Sequence, residues 1–351
     1  MSIVLSTKFT PISLRTQFSR NSRTRFCNTP FPPSVYRNRS FTAKIRASST
    51  AFVEPKPANP VVVDKEVGAG NNNLACPVCF DQLTCNGDSV LSIGSTAGSS
   101  LQCNTCKKTY SGNETHIDLT AASGSKQYGQ YVSPITELFR LPLISFLYER
   151  GWRQSFLWLG FPGPEKEFEM MKDYLKPVLG GNIIDASCGS GLFSRLFAKS
   201  GLFSHVVALD YSENMLQQCY EFVDKEENFP KEKVTLIRAD ISRLPFVSSS
   251  IDAVHAGAAI HCWPSPSTAV AEISRVLQPG GVLVATTYIV DGPYAFLPHL
   301  RIFRENMTVI SGNHTFLSEH ELEEICRTCG LVDFTCSRNR RFVMFSARKP
   351  N

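Results

Sequence analysis

The architecture of this chain turns on residues 182–201, NIIDASCGSGLFSRLFAKSG. An apolar pair, Ile183 and Ile184, suits a short buried strand, and the run stops at Asp185. Small residues follow, among them Gly189 and Gly191, and apolar positions then return at helical spacing: Leu192, Phe193, Leu196 and Phe197. Glycines at such a break let the backbone turn sharply and come close to a ligand, and the helix behind them offers free N–H groups. Strand, glycine turn and helix form the first half of a β-α-β unit, whose ligands sit outside the carboxyl ends of the strands.

The pattern repeats downstream. The next apolar run, HVVALD, ends in Asp210, nineteen residues beyond Gly191. An acid about twenty residues past the glycine turn is placed to accept hydrogen bonds from ribose hydroxyls. The glycine order is D-x-x-x-G-x-G, and G-x-G-x-x-G is absent. The pyrophosphate cradle of a dinucleotide site is therefore missing, which suits a ligand with a charged amino-acid tail. Further on, LIRADISRLPFVSSSIDAVHAGAAIHCW (236–263) carries a strand, Asp240 and a second strand ending near His255. EISRVLQPGGVLVATTY (272–288) carries a helix, a Pro-Gly-Gly turn and another strand. Strands are expected at 182–186, 205–210, 233–238, 251–255, 281–288 and 341–347, and helices at 191–200, 212–226, 267–277 and 318–329. Residues 165–179 read as a helix with Phe168, Met171, Tyr174 and Leu175 on one face. This alternation is α/β: a Rossmann-like, doubly wound, mostly parallel sheet.

Five blocks in this order, DASCGSG, LDYSENML, RADISRLPF, SSIDAVHAGAAIHCW and RVLQPGG, resemble class I S-adenosylmethionine-dependent methyltransferases of the ubiquinone/menaquinone-biosynthesis type (type 11). The resemblance covers about residues 165–348 and implies a seven-stranded sheet. It implies that Asp185, Gly189 and Gly191 border the methionine part of the cofactor. Asp210 would accept from the ribose hydroxyls, with Tyr211 and Ser212 beside it. Asp240 would face the adenine amino group, Ile241 would pack on the ring, and Ala256 and Gly257 would line the sulfonium side. Ser187 departs from the family, which has glycine there. If that position needs a positive φ, serine costs about 1 kcal/mol.

Methyl transfer from a sulfonium depends on orientation, and a base is needed only when the acceptor must lose a proton. His255 and His261 lie near strand ends, with Trp263 as an aromatic wall. His261 is the candidate catalytic base, and either histidine reads equally as a core residue. The family resemblance assigns the acceptor side to the aromatic segment 121–164, where Tyr148, Trp152, Phe156, Trp158 and Phe161 would line an apolar pocket, lie on a lipid surface or pack onto the sheet. A second insertion, 289–316, contains DGPYAFLPHLRIF.

Upstream, CPVC (76–79) and CNTC (103–106) are two C-x2-C knuckles. Cys76, Cys79, Cys103 and Cys106 make the four-thiolate set that zinc favours. Residues 74–120 are short, strand-like and poor in large apolar side chains, so a small zinc-ribbon-like β module stapled by metal is expected. A redox-active dithiol pair is the rival reading. Cys85 has no spaced partner, His116 is a poorer ligand candidate, and CRTC (326–329) lies on an expected helix, where it reads as structural. A zinc ribbon ahead of a methyltransferase domain is similar to the layout of bacterial rRNA guanine-N1 methyltransferases, which raises RNA as an alternative substrate. Yet this stretch has Lys107 and Lys108 against Asp81, Asp88, Glu114 and Asp118, a net of −2, poor for binding phosphate backbones.

The formal charge of +5 is unevenly spread. Residues 1–48 hold nine Lys or Arg and no acid, which leaves 27 basic against 31 acidic residues in the rest. A mildly acidic body does not suit a nucleic-acid partner. The Ser/Thr-rich basic leader, with prolines at 11, 30, 32 and 33 and KIRASS at 44–49, reads as a chloroplast transit peptide. A mitochondrial presequence or a disordered basic tail fits it less well. A linker is expected at 49–73 and the methyltransferase domain at 165–348. No apolar run reaches the roughly 18 residues of a membrane-spanning helix. The expected protein is a plastid methyltransferase acting on a small, apolar acceptor such as a prenylquinone or other isoprenoid lipid. That acceptor would place it as a peripheral protein on thylakoids or plastoglobules. A non-catalytic, cofactor-binding scaffold is the remaining alternative.

Overall fold

The computed structural model describes residues 73–85, 91–123, 156–289 and 317–351. Residues 1–48, expected as a transit peptide, Tyr148, Trp152 and residues 290–316 lie outside the described residues, as does the expected linker apart from Asn73.

The first elements are short. Strands β1 (Leu83–Cys85), β2 (Ser100–Cys103) and β3 (Thr109–Ser111) form a three-stranded antiparallel sheet, and β4 (Ile117–Asp118) follows. After a helical turn at Phe156–Leu159 come α1 (Pro164–Leu175), β5 (Asn182–Ala186), α2 (Leu192–Ser200), β6 (His205–Asp210) and α3 (Glu213–Lys225). The chain continues as β7 (Val234–Arg238), β8 (Ile251–Gly257), α4 (Pro266–Val276) and β9 (Leu277–Tyr288). It closes with α5 (Glu319–Thr328), β10 (Val332–Asn339) and β11 (Phe342–Arg348).

The helices start where sequence chemistry asks them to. Pro164 and Pro266 occupy the first positions of α1 and α4, where a missing N–H costs nothing. Ser212 and Ser265 cap α3 and α4, and Ser318 with Glu321 forms a capping box at α5. Gly201, in the left-handed conformation, ends α2.

The main sheet runs β10-β11-β9-β8-β5-β6-β7-β4. Strands from β9 through β4 pair in parallel, while β11 is antiparallel to both β9 and β10. All expected strands are present. The sheet reaches eight because the cysteine region adds β4 beside β7, with Ile117 opposite Ile237 and Asp118 opposite Arg238.

The middle strands are buried almost throughout, as a parallel sheet covered on both faces requires. Alternate side chains enter two cores. Ile183, Val206 and Ala208 join Phe168, Met171, Phe197 and Leu216 beneath α1–α3. Ile184, Val207, Leu209 and Ile237 face the other way and join Val270 and Ile273 of α4 and Cys326 of α5. That second core also contains Leu74, Leu91, Leu101, Tyr110, Ile117 and Leu119. The cysteine region therefore shares a core with the sheet and covers the β6–β7 half of one face. Its backbone is tied in as well. Ala75 N donates to Pro245 O at 2.9 Å, Val247 N to Asn73 O at 2.8 Å and Ile93 N to Val234 O at 2.8 Å.

Candidate cofactor site and cysteine centre

Strand order reverses between β5 and β8: β6 and β7 lie on one side of β5, and β9 lies beyond β8. The crevice at this switch point, outside the carboxyl ends, is where an open α/β sheet receives a ligand. The turn after β5 enters it through three left-handed residues, Ser187 (φ 57°), Gly189 (φ 57°) and Gly191 (φ 80°). Gly191 is also sterically required, because a Cβ there would sit 2.1 Å from Cys219 Sγ of α3. Ser187 carries the strain expected of a non-glycine residue, but its hydroxyl has a partner. Trp263 Nε1 donates to Ser187 Oγ at 3.0 Å, and that indole is 4% exposed. The tryptophan expected as a pocket wall is thus a strut under the turn.

Asp185 is buried, and both of its oxygens are engaged. Ser194 Oγ donates to Oδ2 at 2.5 Å, and His255 Nδ1 lies 2.7 Å from Oδ1. Because a carboxylate only accepts, the proton sits on Nδ1 of His255. His255 Nε2 has no hydrogen-bond partner among the described residues; the ring is fully buried and meets Phe193 and Phe197 edge-on, centroids 4.7 and 5.3 Å away. This removes His255 as a candidate base. Asp185, His255 and Ser194 instead tie β5, β8 and α2 together beneath the glycine turn. Sequence reasoning missed Ser194; a serine on the buried face of this amphipathic helix, beside Phe193, Phe197 and Ala198, was the available signal.

Asp210 ends β6 beside the turn. Its Oδ2 accepts from Gly189 N at 2.9 Å and its Oδ1 from Ser212 N at 2.8 Å. Burial pushes its pKa up to about 6, against the opposing pull of these amides. Ser212 caps α3, and the Tyr211 carbonyl accepts from Arg238 Nε at 3.2 Å. Past β7, Asp240 Oδ1 takes both Ser242 N and Ser242 Oγ, at 2.8 and 2.7 Å. Its Oδ2 has no partner among the described residues. Ile241 is buried at its side. At the end of β8, Ala256 is buried and Gly257 is partly open, with no room for a Cβ between His255 and Phe193. His261 lies on the turn that follows (Ile260–Cys262). Its Nδ1 is 3.2 Å from Thr287 Oγ1, and its ring stands 4.4 Å from that of Tyr288 at the end of β9. The Ser187–Gly191 turn, Asp210, Asp240 and Gly257 therefore follow the carboxyl ends of the adjacent parallel strands β5, β6, β7 and β8, with Asp185 buried at the end of β5. Phe161, by contrast, is buried against Phe342 with centroids 4.7 Å apart, so it packs onto the sheet.

The two cysteine knuckles converge. The sulfurs of Cys76, Cys79, Cys103 and Cys106 all lie within 4.8 Å of one another. The closest approaches run between knuckles, Cys79 to Cys103 at 3.3 Å and Cys76 to Cys106 at 3.6 Å. Sulfurs held tetrahedrally around zinc at about 2.3 Å stand roughly 3.8 Å apart, so this donor set fits the ion. Burial raises the Cys76 thiol, but the Tyr110 hydroxyl at 3.1 Å and nearby amides outweigh it and bring the pKa down to about 7. His116 is engaged by Thr115 and Asn113 and stands apart from the four.

The profile of a family described as a methyltransferase domain matches residues 184–285, from β5 into β9. An Arabidopsis thaliana protein named uncharacterized methyltransferase, chloroplastic, is 64% identical over 294 residues, which is 83% of each chain. A second Arabidopsis thaliana protein of the same description is 49% identical over 278 residues, 79% of this chain and 78% of its own. The demethylmenaquinone methyltransferase of Staphylococcus aureus is 34% identical over 125 residues, 33% of this chain and 50% of the bacterial one.

Proposed function

The chain belongs to the class I S-adenosylmethionine-dependent methyltransferases, and we propose that it is a plastid enzyme that methylates a small, apolar acceptor of the prenylquinone or isoprenoid-lipid class. The observation that carries this reading is that the Ser187–Gly191 turn, Asp210 and Asp240 follow the carboxyl ends of the neighbouring strands β5, β6 and β7, beside the switch point of the sheet. The acceptor class draws support from the partial likeness to a demethylmenaquinone methyltransferase. The plastid location draws support from the chloroplastic relatives and the acid-free basic leader. No helix among the described residues is long and apolar enough to cross a membrane, and peripheral attachment to thylakoids or plastoglobules suits an apolar acceptor.

When bound, S-adenosylmethionine supplies a methyl group on a sulfonium, with a neutral thioether as leaving group. The chain's own residues would hold and orient it. Gly189 and Gly191 let the turn approach the methionine end, with Asp185 fixing that turn from below. Asp210 accepts from the ribose hydroxyls, with Tyr211 and Ser212 beside it. Asp240 would accept from the adenine amino group, Ile241 would pack beside the ring, and Ala256 and Gly257 would line the sulfonium side. Where the acceptor must lose a proton, His261 takes it, oriented by Thr287. The four cysteines would hold a structural zinc ion, with one zinc per chain expected in metal analysis and lost in Cys106→Ser.

Using RNA as acceptor would require a basic docking face, and the cysteine region carries a net negative charge. The decisive experiment gives the chain methyl-labelled S-adenosylmethionine with plastid lipid extract and plastid RNA in parallel, alongside Asp210→Ala. Label in lipid, lost in the variant, is expected. Label in RNA would replace the proposed acceptor. Cofactor binding with no label in either would favour the scaffold reading.

A further inference from the structure

Between β7 and β8 the chain makes a short turn whose first residue is Asp240. Its side chain is held by Ser242, and Arg243 N donates to Asp240 O at 2.9 Å. The side chain of Arg243 leaves this turn and reaches the first cysteine knuckle. Its Nε donates to Pro77 O at 2.6 Å and its Nη2 to Val78 O at 2.9 Å. Pro77 and Val78 are the two residues between Cys76 and Cys79. The guanidinium also lies over the ring of Phe80, 5.0 Å from its centroid, and Arg275 approaches the same ring at 4.5 Å. A planar cation with two hydrogen bonds and an aromatic face is a rigid connection, unlike a single flexible contact.

We propose that Arg243 is a positioning residue for the adenine half of the cofactor site, anchored on the carbonyls of the first cysteine knuckle. The inference rests on the cofactor reading above, in which Asp240 meets the adenine amino group. Asp240 sits at one end of the turn and the Arg243 anchor at the other, so the anchor limits how far the carboxylate can swing. The knuckle that presents these carbonyls carries Cys76 and Cys79 of the four-cysteine centre, which links that centre to the cofactor site through one side chain. The rest of the loop has independent supports. Glu272 accepts from Leu244 N at 2.8 Å, Arg275 Nη2 donates to Leu244 O at 2.7 Å, and Ala75 N donates to Pro245 O. Arg243→Ala should therefore fold, with its effect confined to the turn.

The experiment uses the full chain and two ligands, S-adenosylhomocysteine and its inosyl analogue, in which a carbonyl replaces the adenine amino group. Calorimetry gives the affinity of each for the wild-type chain, Arg243→Ala and Arg243→Lys. The wild type should prefer the adenosyl ligand. Arg243→Ala should lose about ten-fold of that preference, the scale of one charge-assisted hydrogen bond, and Arg243→Lys should recover part of it. General loosening would weaken both ligands together and leave the ratio unchanged, which would overturn the proposal. A wild type that binds both ligands equally would refute the Asp240–adenine contact and the proposal with it. A wild type that binds neither ligand would refute the cofactor reading itself, a different failure from an unchanged ratio.

Discussion

Ser187 is a direct test of how the cofactor turn is held. Its φ of 57° costs a side-chain-bearing residue about 1–2 kcal/mol. Against this stands the bond from Trp263 Nε1 at 3.0 Å, whose loss would leave a nearly buried indole N–H unpaired at a cost of about 1–3 kcal/mol. Ser187→Ala keeps the strain and loses the bond, so it should destabilise the fold by about 1–3 kcal/mol. Ser187→Gly also orphans the indole but relieves the backbone, so it should stand about 1 kcal/mol above the alanine variant and still below the wild type. A difference of 1 kcal/mol moves the midpoint of a domain this size by about 2–4 °C, so urea and thermal unfolding followed by circular dichroism resolve the order wild type, glycine, alanine. An alanine variant as stable as the wild type would mean that the indole bond contributes nothing. A glycine variant clearly above the wild type would mean that strain outweighs the bond, and the turn would be a destabilised site instead of a compensated one.

Three further outcomes follow from the same geometry. Asp210 has its pKa raised by burial from 3.8 to about 6, so its contribution to apo-protein stability is full below about pH 4 and is lost as pH rises through 6. Cofactor binding, which needs the charged carboxylate as acceptor, runs the other way: affinity should fall about ten-fold per unit below pH 6 and level off above it, and Asp210→Asn should flatten that profile. Gly191→Ala places a Cβ 2.1 Å from Cys219 Sγ and should cost about 2–4 kcal/mol in urea unfolding, with Cys219→Ala relieving the clash with the sulfur but leaving a tight 3.2 Å contact with Cβ and the left-handed φ. His255→Leu leaves buried Asp185 with Ser194 as its one remaining side-chain donor among the described residues and should cost about 3–5 kcal/mol. Asp185→Asn in the same chain should recover part of that loss, a pattern expected of a structural tie and not of a catalytic base.

The parallel strands were legible because each is a short apolar run ending at a polar residue, and their boundaries follow the pattern within a residue or two on most sides. β10 was not: most of its side chains are exposed, so it has no alternation to read, and only its pairing with β11 makes it a strand. β4 is two residues long and exists only through β7. Site residues that act by type and position, such as Asp210 and Gly191, could be read from spacing. The roles of His255, Trp263 and Arg243 could not, because each depends on a partner 70 or more residues away.

The same long-range contacts bear on what the cysteine region does. Read from sequence, it is a separate module, and a separate ribbon invites the idea of a docking arm. In the fold it covers the β6–β7 half of one sheet face, where Leu91, Ile117 and Leu119 pack with Val207, Leu209 and Ile237. It also closes the outer edge: β4 pairs with β7, and Asp118 meets Arg238 at 3.2 Å. Arg238 in turn holds the carbonyl of Tyr211, next to Asp210, and Arg243 holds the turn after Asp240. Both connections lead to the side of the crevice assigned to the nucleoside. The acceptor, on the proposed pose, meets the methyl group near Gly257, His261 and Tyr288, at the ends of β8 and β9. β8 is three strands from β7, about 15 Å at the usual spacing. A region that caps the sheet edge and braces the nucleoside side has its inner surface already occupied. On the proposed pose, what it would contribute to methyl transfer is the geometry of the cofactor, and acceptor choice would fall to the ends of β8 and β9.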